Sequence, residues 1–138
     1  MDELSTYDAK ILIALGEAIG MNFKIHQWLL ENGYPELAAL ASSLQADVEA
    51  FQWLLKNGYP QFAAFSNAID EDTGAYEWLA KNNFRMLVII VDAAYLKPEA
   101  LQFLKEKKLE IYLRLALKIR KLKEEQHRDY DFYYKMHF

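Results

Sequence analysis

A gapless internal repeat of 25 residues is the feature that most constrains how this chain can fold. Residues 28–52 align with residues 53–77 without an insertion, and 11 of the 25 aligned positions are identical. Residues 78–102 follow in the same register, and degenerate copies occupy 3–27 and 103–127. Units of this length are stable only when neighbours stack, because one unit cannot bury its own apolar face. The 138 residues are therefore expected to form a single domain of about five repeats.

Each repeat predicts two short helices, which we call helix A and helix B. In the second unit Leu37, Leu40 and Leu44 are spaced as residues on one helix face, so helix A is predicted over about 35–45. The same register predicts a helix for the apolar run at 86–91, which by itself would also fit a buried strand. The sequence thus predicts an all-α chain.

The ends of the predicted helices carry residue types that helix ends prefer. Helix B is expected to begin after Asp47 and Asp72, whose carboxylates can accept hydrogen bonds from unpaired backbone N–H groups. It is expected to end before a column of residues that tolerate a left-handed backbone, namely Gly33, Gly58 and Asn83. Prolines suited to the first helical position are Pro35, Pro60 and Pro98.

The first helix of the unit opens with Pro35, Leu37, Ala38 and Ala39, and the second helix ends with Leu29, Leu30, Asn32 and Gly33. In these residues the unit resembles the helical part of an ankyrin repeat. Ankyrin units have about 33 residues and a hairpin loop between units, whereas three residues, 33–35, take the place of that loop here. The chain therefore resembles divergent ankyrin-like or HEAT-like α-hairpin repeats, and an uncharacterised bacterial family is its expected origin.

The repeat and this resemblance together predict a right-handed α-solenoid. About five short helix–turn–helix units would stack in a row, and a longer C-terminal helix, from about Leu109 to Gln126, would cap the end. The resemblance also implies a binding role, because helical-repeat families usually bind other macromolecules and few of them are enzymes.

A polar column on helix A is the first candidate binding surface. It contains Glu17, Ser42, Asn67 and Asp92. A polar residue that recurs on an otherwise apolar helix indicates an exposed ridge, and this ridge would touch a partner if it lined the concave side of the solenoid. A solvated stripe without a partner is the alternative interpretation, and the favoured one.

The net charge of −4 conceals a difference between the two halves of the chain. Residues 1–77 carry 12 acidic and three basic side chains, net −9, whereas residues 78–138 carry eight acidic and 13 basic, net +5. The basic half contains a cluster that could bind phosphates, made of Lys118, Arg120, Lys121 and Lys123. Because Glu124 and Glu125 adjoin the cluster, a solvated polar cap is the favoured interpretation.

The tail at 128–138 is unusually apolar for a free chain end. Its aromatic residues are Tyr130, Phe132, Tyr133, Tyr134 and Phe138. Aromatic side chains are enriched in protein interfaces, so the tail is a candidate contact with a second copy of the chain. Folding back over the last repeat is the other interpretation, and the one that we favour.

No group of residues predicts catalysis, a cofactor or a bound metal. The chain has no cysteine and three histidines, and it lacks the metalloprotease, nucleophile-elbow, phosphate-loop and dinucleotide-binding motifs. His26 shares a column with Phe51, Tyr76 and Leu101 and is predicted to pack among apolar residues. The acidic run at 70–74 resembles a calcium loop, but Lys81 stands where such a loop needs its closing Glu.

These observations favour a cytoplasmic protein-interaction module without catalytic activity. The N-terminus is acidic, unlike a secretory signal, and no stretch reaches the ~18 consecutive apolar residues of a membrane helix. A nucleic-acid-binding array that uses the basic half is the runner-up, although no recognition motif accompanies the basic cluster. The other hypotheses are an enzyme with an acid–base pair drawn from Glu17, Asp92, His26 or a tyrosine, and a structural part of a larger assembly.

Overall fold

The structure, a computed structural model, describes the backbone of residues 3–136 and the side chains of residues 3–128. Within this part the chain is helical and contains no strand, which confirms the predicted all-α class. After a 3₁₀ turn at Leu4–Thr6 come α1 (Ala9–Ile19), α2 (Phe23–Glu31), α3 (Pro35–Leu44), α4 (Val48–Lys56), α5 (Pro60–Ile69), α6 (Thr73–Lys81), α7 (Arg85–Ala94), α8 (Pro98–Glu106) and α9 (Glu110–Met136). The apolar run at 86–91 lies within α7, as the repeat register predicts.

The helices follow the 25-residue period of the sequence. Successive odd-numbered helices from α3 onwards begin at Pro35, Pro60, Arg85 and Glu110, and the even-numbered helices begin at Phe23, Val48, Thr73 and Pro98. We keep the names A helices for the odd-numbered set and B helices for the even-numbered set. Each B helix packs against the A helix before it and the A helix after it.

The predicted helix starts are confirmed by their hydrogen bonds. Asp47 Oδ1 accepts from the backbone N–H groups of Glu49 and Ala50, and Asp72 Oδ1 accepts from that of Ala75. The first helical positions of α3, α5 and α8 are prolines, where the missing N–H would have had no helical partner. Helices α3 to α6 and α8 therefore begin at local signals that are legible in the sequence.

The turn from each B helix to the next A helix has one geometry. Gly33, Gly58 and Asn83 have φ values of +89°, +85° and +63°, which confirms the predicted left-handed column. The aromatic residue after the turn packs back on the B helix, so that Trp53 and Tyr59 stack with ring centroids 6.1 Å apart. The equivalent pairs in the flanking units, Trp28–Tyr34 and Trp78–Phe84, stack in the same way.

The A helices form a closed ring. Helix α1 packs against α3, α3 against α5, α5 against α7, and α7 against α9, and α9 in turn packs against α1. An open row of hairpins would leave an extended concave groove between its ends. Within the described chain that expected groove is replaced by a direct contact between the first and the last A helix.

The centre of the ring is the hydrophobic core. Ser42 and Asp92 face neighbouring B helices, with which they form hydrogen bonds, and residues two or five positions before them lie about 160° or about 140° around a helix. Such residues therefore face the ring centre. The largest of them are Phe62, Phe65, Leu37, Leu40, Leu87, Ile90, Leu12 and Leu15, each at most 2% exposed.

Residues 3–7 cross the face of the ring where the A helices begin. The Glu3 carboxylate accepts hydrogen bonds of 2.8 and 3.1 Å from two backbone N–H groups at the start of α7. The Tyr7 hydroxyl donates to the Glu36 carboxylate at the start of α3, at 2.9 Å. Leu4, between these anchors, is 1% exposed. This segment therefore connects α7 to α3 and covers the core on that face.

Helix α9 is longer than the sequence predicts. It begins at Glu110 and continues to Met136, so the prediction that it ends near Gln126 was wrong. A continuous helix cannot turn back over the last repeat, which also makes the favoured fold-back of the tail wrong for residues up to 136. Among the helices of the described chain, none is both long enough and apolar enough to span a membrane.

Candidate functional site

A cleft of about 360 Å³ lies where α5 and α7 end, beside α9. Its lining includes Asp70, Tyr95, Arg120, Lys123, Glu124 and His127. A cleft of this volume is within the size range of small-molecule sites. The hydrogen bonds and ion pairs of its charged side chains therefore decide what it can bind.

Side chains in one column of the repeat form hydrogen bonds with the C-terminal ends of the A helices. The backbone carbonyls at a helix end lack intrahelical donors, and here a side chain from the next unit supplies one. The donor–acceptor pairs are Gln45 with Ala18, Tyr95 with Ile69, and Arg120 with Ala94. Each donor stands 26 or 27 residues after the carbonyl that it binds, near the end of the preceding A helix.

Asp70 breaks this column, and α9 replaces the missing donor. The Asp70 carboxylate cannot donate to the Leu44 carbonyl, which instead accepts hydrogen bonds from Lys123 Nζ at 2.7 Å and Gln126 Nε2 at 3.1 Å. Lys123 Nζ also forms an ion pair with Asp70 at 3.0 Å. Helix α9 is thereby connected to the ends of α3 and α5 across the ring.

Four charged side chains of the cleft pair with one another. Arg120 pairs with Glu124 at 2.9 Å, and Lys123 pairs with Asp70. Burial, followed by the nearby carboxylates of Glu71 and Asp70, raises the pKa of Tyr95 above its ordinary value. The neutral Tyr95 hydroxyl donates its proton to the hydrogen bond with the Ile69 carbonyl. The contacts in the cleft therefore mainly hold the helix ends together.

The predicted basic cluster is divided among these structural contacts. Three of its four cations form ion pairs: Lys118 with Glu17 at 3.4 Å, Arg120 with Glu124 at 2.9 Å, and Lys123 with Asp70 at 3.0 Å. Lys121 is exposed. Pairing reduces the positive charge that the cluster presents to a phosphate group.

The predicted ridge lies between the A helices and the elements outside them. Ser42 accepts or donates a 2.9 Å hydrogen bond with His26, Asp92 accepts from Tyr76 and Lys97, and Glu17 accepts from Lys118. All four ridge residues, Asn67 included, are partly exposed. The ridge thus faces the outside of the ring, and its role in binding a partner stays a prediction.

The structure brings one candidate acid, Asp92, to a tyrosine. Both Asp92 carboxylate oxygens lie 3.0 Å from the Tyr76 hydroxyl, and Lys97 Nζ lies 3.1 Å from Oδ1. Burial and then this hydrogen bond raise the pKa of Tyr76, and the hydrogen bond to Asp92 raises that of Lys97. His26 lies elsewhere, with Nε2 between Ser42 Oγ and the Ala38 carbonyl oxygen.

The acidic run at 70–74, which resembles a calcium loop in the sequence, has another role in the structure. Asp72 forms the predicted N-cap of α6, so the acidic run at 70–74 acts as a turn and a helix start. Among the residues that the structure describes, no group of three or more His, Cys, Asp or Glu side chains could hold a metal ion.

An exposed apolar face on two B helices was not predicted from the sequence. On α2, Phe23 and Leu30 are 72% and 44% exposed, and on α4, Val48 and Leu55 are 66% and 51% exposed. Residues seven apart lie on the same side of a helix. Comparison of the repeats could have revealed this face. The same two columns carry Thr73 and Ala80 in α6 and Pro98 and Lys105 in α8, so large apolar residues there are specific to α2 and α4.

The side chains of the aromatic tail lie outside the described residues. The candidate interface residues Tyr130, Phe132, Tyr133, Tyr134 and Phe138 therefore stay a prediction. In comparisons with known proteins, no protein-family model, no curated protein and no solved structure matches this chain.

Proposed function

We propose that this chain is a cytoplasmic protein-interaction module without catalytic activity, built as a right-handed array of about five ankyrin-like helical hairpins. The observation that carries the proposal is the exposed apolar face formed by Phe23 and Leu30 on α2 and by Val48 and Leu55 on α4. We call this surface the α2–α4 face. Exposed apolar residues that cluster, rather than occur singly, mark surfaces that bind other proteins.

Comparison between the repeats shows that folding alone does not explain the large apolar side chains of the α2–α4 face. The core position of every B helix is a leucine that is fully buried: Leu29, Leu54, Leu79 and Leu104. The outer positions are free to vary, and in α6 they are Thr73 and Ala80. The fold therefore does not require large apolar side chains there, and their presence on α2 and α4 costs solubility unless a partner covers them.

The test replaces the α2–α4 face with the residues of α6. The variant carries Phe23→Thr, Leu30→Ala, Val48→Thr and Leu55→Ala, which the same hairpin tolerates at α6. The immobilised full chain should capture a partner from the lysate of the native host, and the variant should capture at least about tenfold less of it. A control variant, Leu96→Ser, changes an apolar residue that is 43% exposed elsewhere and should capture as much as the unchanged chain.

The outcome that contradicts the proposal is an equal yield of every captured protein from the chain and the four-residue variant, with unchanged helix content by circular dichroism. The nucleic-acid alternative has its own readout. Binding to duplex DNA or to RNA at low salt, with an affinity that falls steeply as salt rises, would favour that alternative over protein binding.

A further inference from the structure

The B helices cover every neighbouring pair of A helices except one. Helix α2 lies over α1 and α3, α4 over α3 and α5, α6 over α5 and α7, and α8 over α7 and α9. The pair α9 and α1 closes the ring, and in the part of the chain that the structure describes no helix packs on both of them. A groove lined by Ile13, Gly16, Glu17, Ile111, Arg114 and Lys118 runs between these two helices.

The α1 side of this groove exposes a residue that the second and third units bury. Ile13 belongs to the column of Ala38 and Ala63, each 1% exposed. Helix α2 reaches Ala38 through the contact of His26 Nε2 with the Ala38 carbonyl oxygen, at 3.1 Å. Ile13 has no such helix above it and is 46% exposed.

The α9 side combines a partly exposed apolar residue with cations. Ile111 lines the groove and is partly exposed. Arg114 occupies the column of Ala39, Ala64 and Ile89, where the other units are uncharged, and it is exposed, as is Lys121. Lys118 lies across the groove, with its side chain 3.2 Å from where a Cβ of Gly16 would be. The uncovered position therefore has an apolar centre and a positively charged edge.

We propose that the groove between α1 and α9 binds a short amphipathic helix of a partner protein, with leucine and aromatic side chains on its apolar face and carboxylates along its edge. The four B helices define that apolar face, since each buries one leucine and α4, α6 and α8 also pack one Trp or Phe on the body of the protein. The exposed cations Arg114 and Lys121 define the complementary charge, because Lys118 is already paired with Glu17 across the groove. This inference rests on the proposed role in protein binding but uses a surface separate from the α2–α4 face.

The chain itself supplies two matched probes. A peptide with the sequence of residues 47–58, which contains α4, has two acidic residues and one basic residue, net −1. A peptide with the sequence of residues 97–108, which contains α8, has two acidic and four basic residues, net +2. Each peptide carries fluorescein and is titrated with the full chain while fluorescence anisotropy is recorded.

We expect the acidic peptide to bind and the basic peptide to bind at least about fivefold more weakly at low salt, with the difference shrinking at high salt. Ile13→Asp should weaken binding of the acidic peptide at least about tenfold, because it puts a carboxylate at the apolar centre. Arg114→Glu should weaken it by a smaller factor. Val48→Thr, on the α2–α4 face, should leave peptide binding unchanged.

Three results would overturn this inference. The first is that neither peptide binds the unchanged chain. The second is that the groove variants, with unchanged helix content, bind the acidic peptide as tightly as the unchanged chain. The third is a dimer in sedimentation analysis that the groove variants abolish, because the occupant would then be a second copy of this chain. A failed capture by the α2–α4 face would not alter the peptide result, so the two proposals fail separately.

Discussion

At the scale of the residue, the turns of this protein depend on left-handed backbone at positions that are mostly not glycine. Gly33 and Gly58 have positive φ, but so do residues of other types: Met21, Ala46, Glu71, Asn83, Leu96 and Lys108. An L-residue with a Cβ is disfavoured there by about 1–2 kcal/mol. The closing hydrogen bonds of the turns, such as that from the Asp47 N–H to the Ser42 carbonyl at 3.0 Å, hold the strained residues in place.

Ala46→Gly should therefore stabilise the protein. Relief of the left-handed strain at φ +72° exceeds the extra entropy of glycine in the unfolded chain, for a net rise of about 0.5 kcal/mol in the free energy of unfolding. The matched control, Gly58→Ala at φ +85°, should lower it by about 1 kcal/mol. Urea denaturation measures both, and a lower free energy of unfolding for Ala46→Gly would show that strain does not decide this turn.

At the scale of the element, α9 is attached by hydrogen bonds that compensate for a defect in the repeat. Gln45, Tyr95 and Arg120 donate to the helix ends of preceding units, whereas Asp70 at the same position cannot. Lys123 supplies the donor from α9 instead, and its charge balances that of Asp70. Asp70 thus removes one hydrogen bond of the repeat, but its ion pair with Lys123 connects the last helix to the middle of the chain.

Lys123→Met should destabilise the protein by about 1–2 kcal/mol, because it removes a donor to a partly buried carbonyl and leaves Asp70 without its ion pair. Asp70→Gln should reduce that loss, since its amide can donate to Leu44 as Gln45 donates to Ala18. A double-mutant cycle by urea denaturation measures the coupling. Additive effects of the two substitutions would mean that Lys123 acts independently of the repeat column.

At the scale of the whole molecule, ring closure joins the repeats into one cooperative unit. In an open repeat array each unit contacts only its neighbours, and an end unit can be removed with a local loss of stability. Here α9 packs on both α1 and α7, and the inner faces of all five A helices meet in one core. Every unit therefore depends on the last helix.

A chain that ends at residue 108, and so lacks α9, should lose its cooperative unfolding transition. Its loss would expose the core-facing residues of α1 and α7, among them Leu12, Leu15, Leu87 and Ile90, which are at most 2% exposed in the ring. A control chain ending at residue 128 keeps the described side-chain contacts of α9 and should unfold in one transition. Circular dichroism against urea distinguishes the two, and a stable 108-residue chain would argue for independent units.

Stability should also fall at alkaline pH. Burial raises the pKa of Tyr112 above its ordinary value of 10.0, with a contribution from Glu3, and the pKa values of Tyr76, Tyr95 and Lys97 are raised as well. The folded chain then binds more protons than the unfolded chain above about pH 10, so the free energy of unfolding declines as pH rises through that range. Tyr112→Phe should flatten the decline, measured by urea denaturation between pH 9 and 11 (roughly, one unit to either side of the ordinary tyrosine pKa). If the free energy of unfolding of this variant declines with pH as steeply as that of the unchanged chain, Tyr112 is not a source of the decline.

The sequence by itself determined the local structure of this protein. Helix starts at Asp47 and Asp72, helix ends at Gly33 and Gly58, and the two-helix repeat follow from side-chain chemistry and period, which act over a few residues. The core columns were also legible, because burial imposes helical spacing.

What the tertiary structure decided is everything that depends on residues far apart in the chain. Lys118, Arg120 and Lys123 form a charged cluster in the sequence of one helix, yet Lys118 pairs with Glu17, Lys123 pairs with Asp70 and Arg120 donates to the Ala94 carbonyl.

Closure of the ring is the clearest case. A period of 25 residues specifies how one unit packs on the next, but the small rotation between units, summed around the array, decides whether the ends meet. That rotation arises from side-chain volumes at every interface and carries no local signal. For the same reason the sequence could not show which A helices lack an overlying B helix. The exposed Ile13 is thus an ordinary member of an apolar column in the sequence and acquires a surface position only in the closed ring.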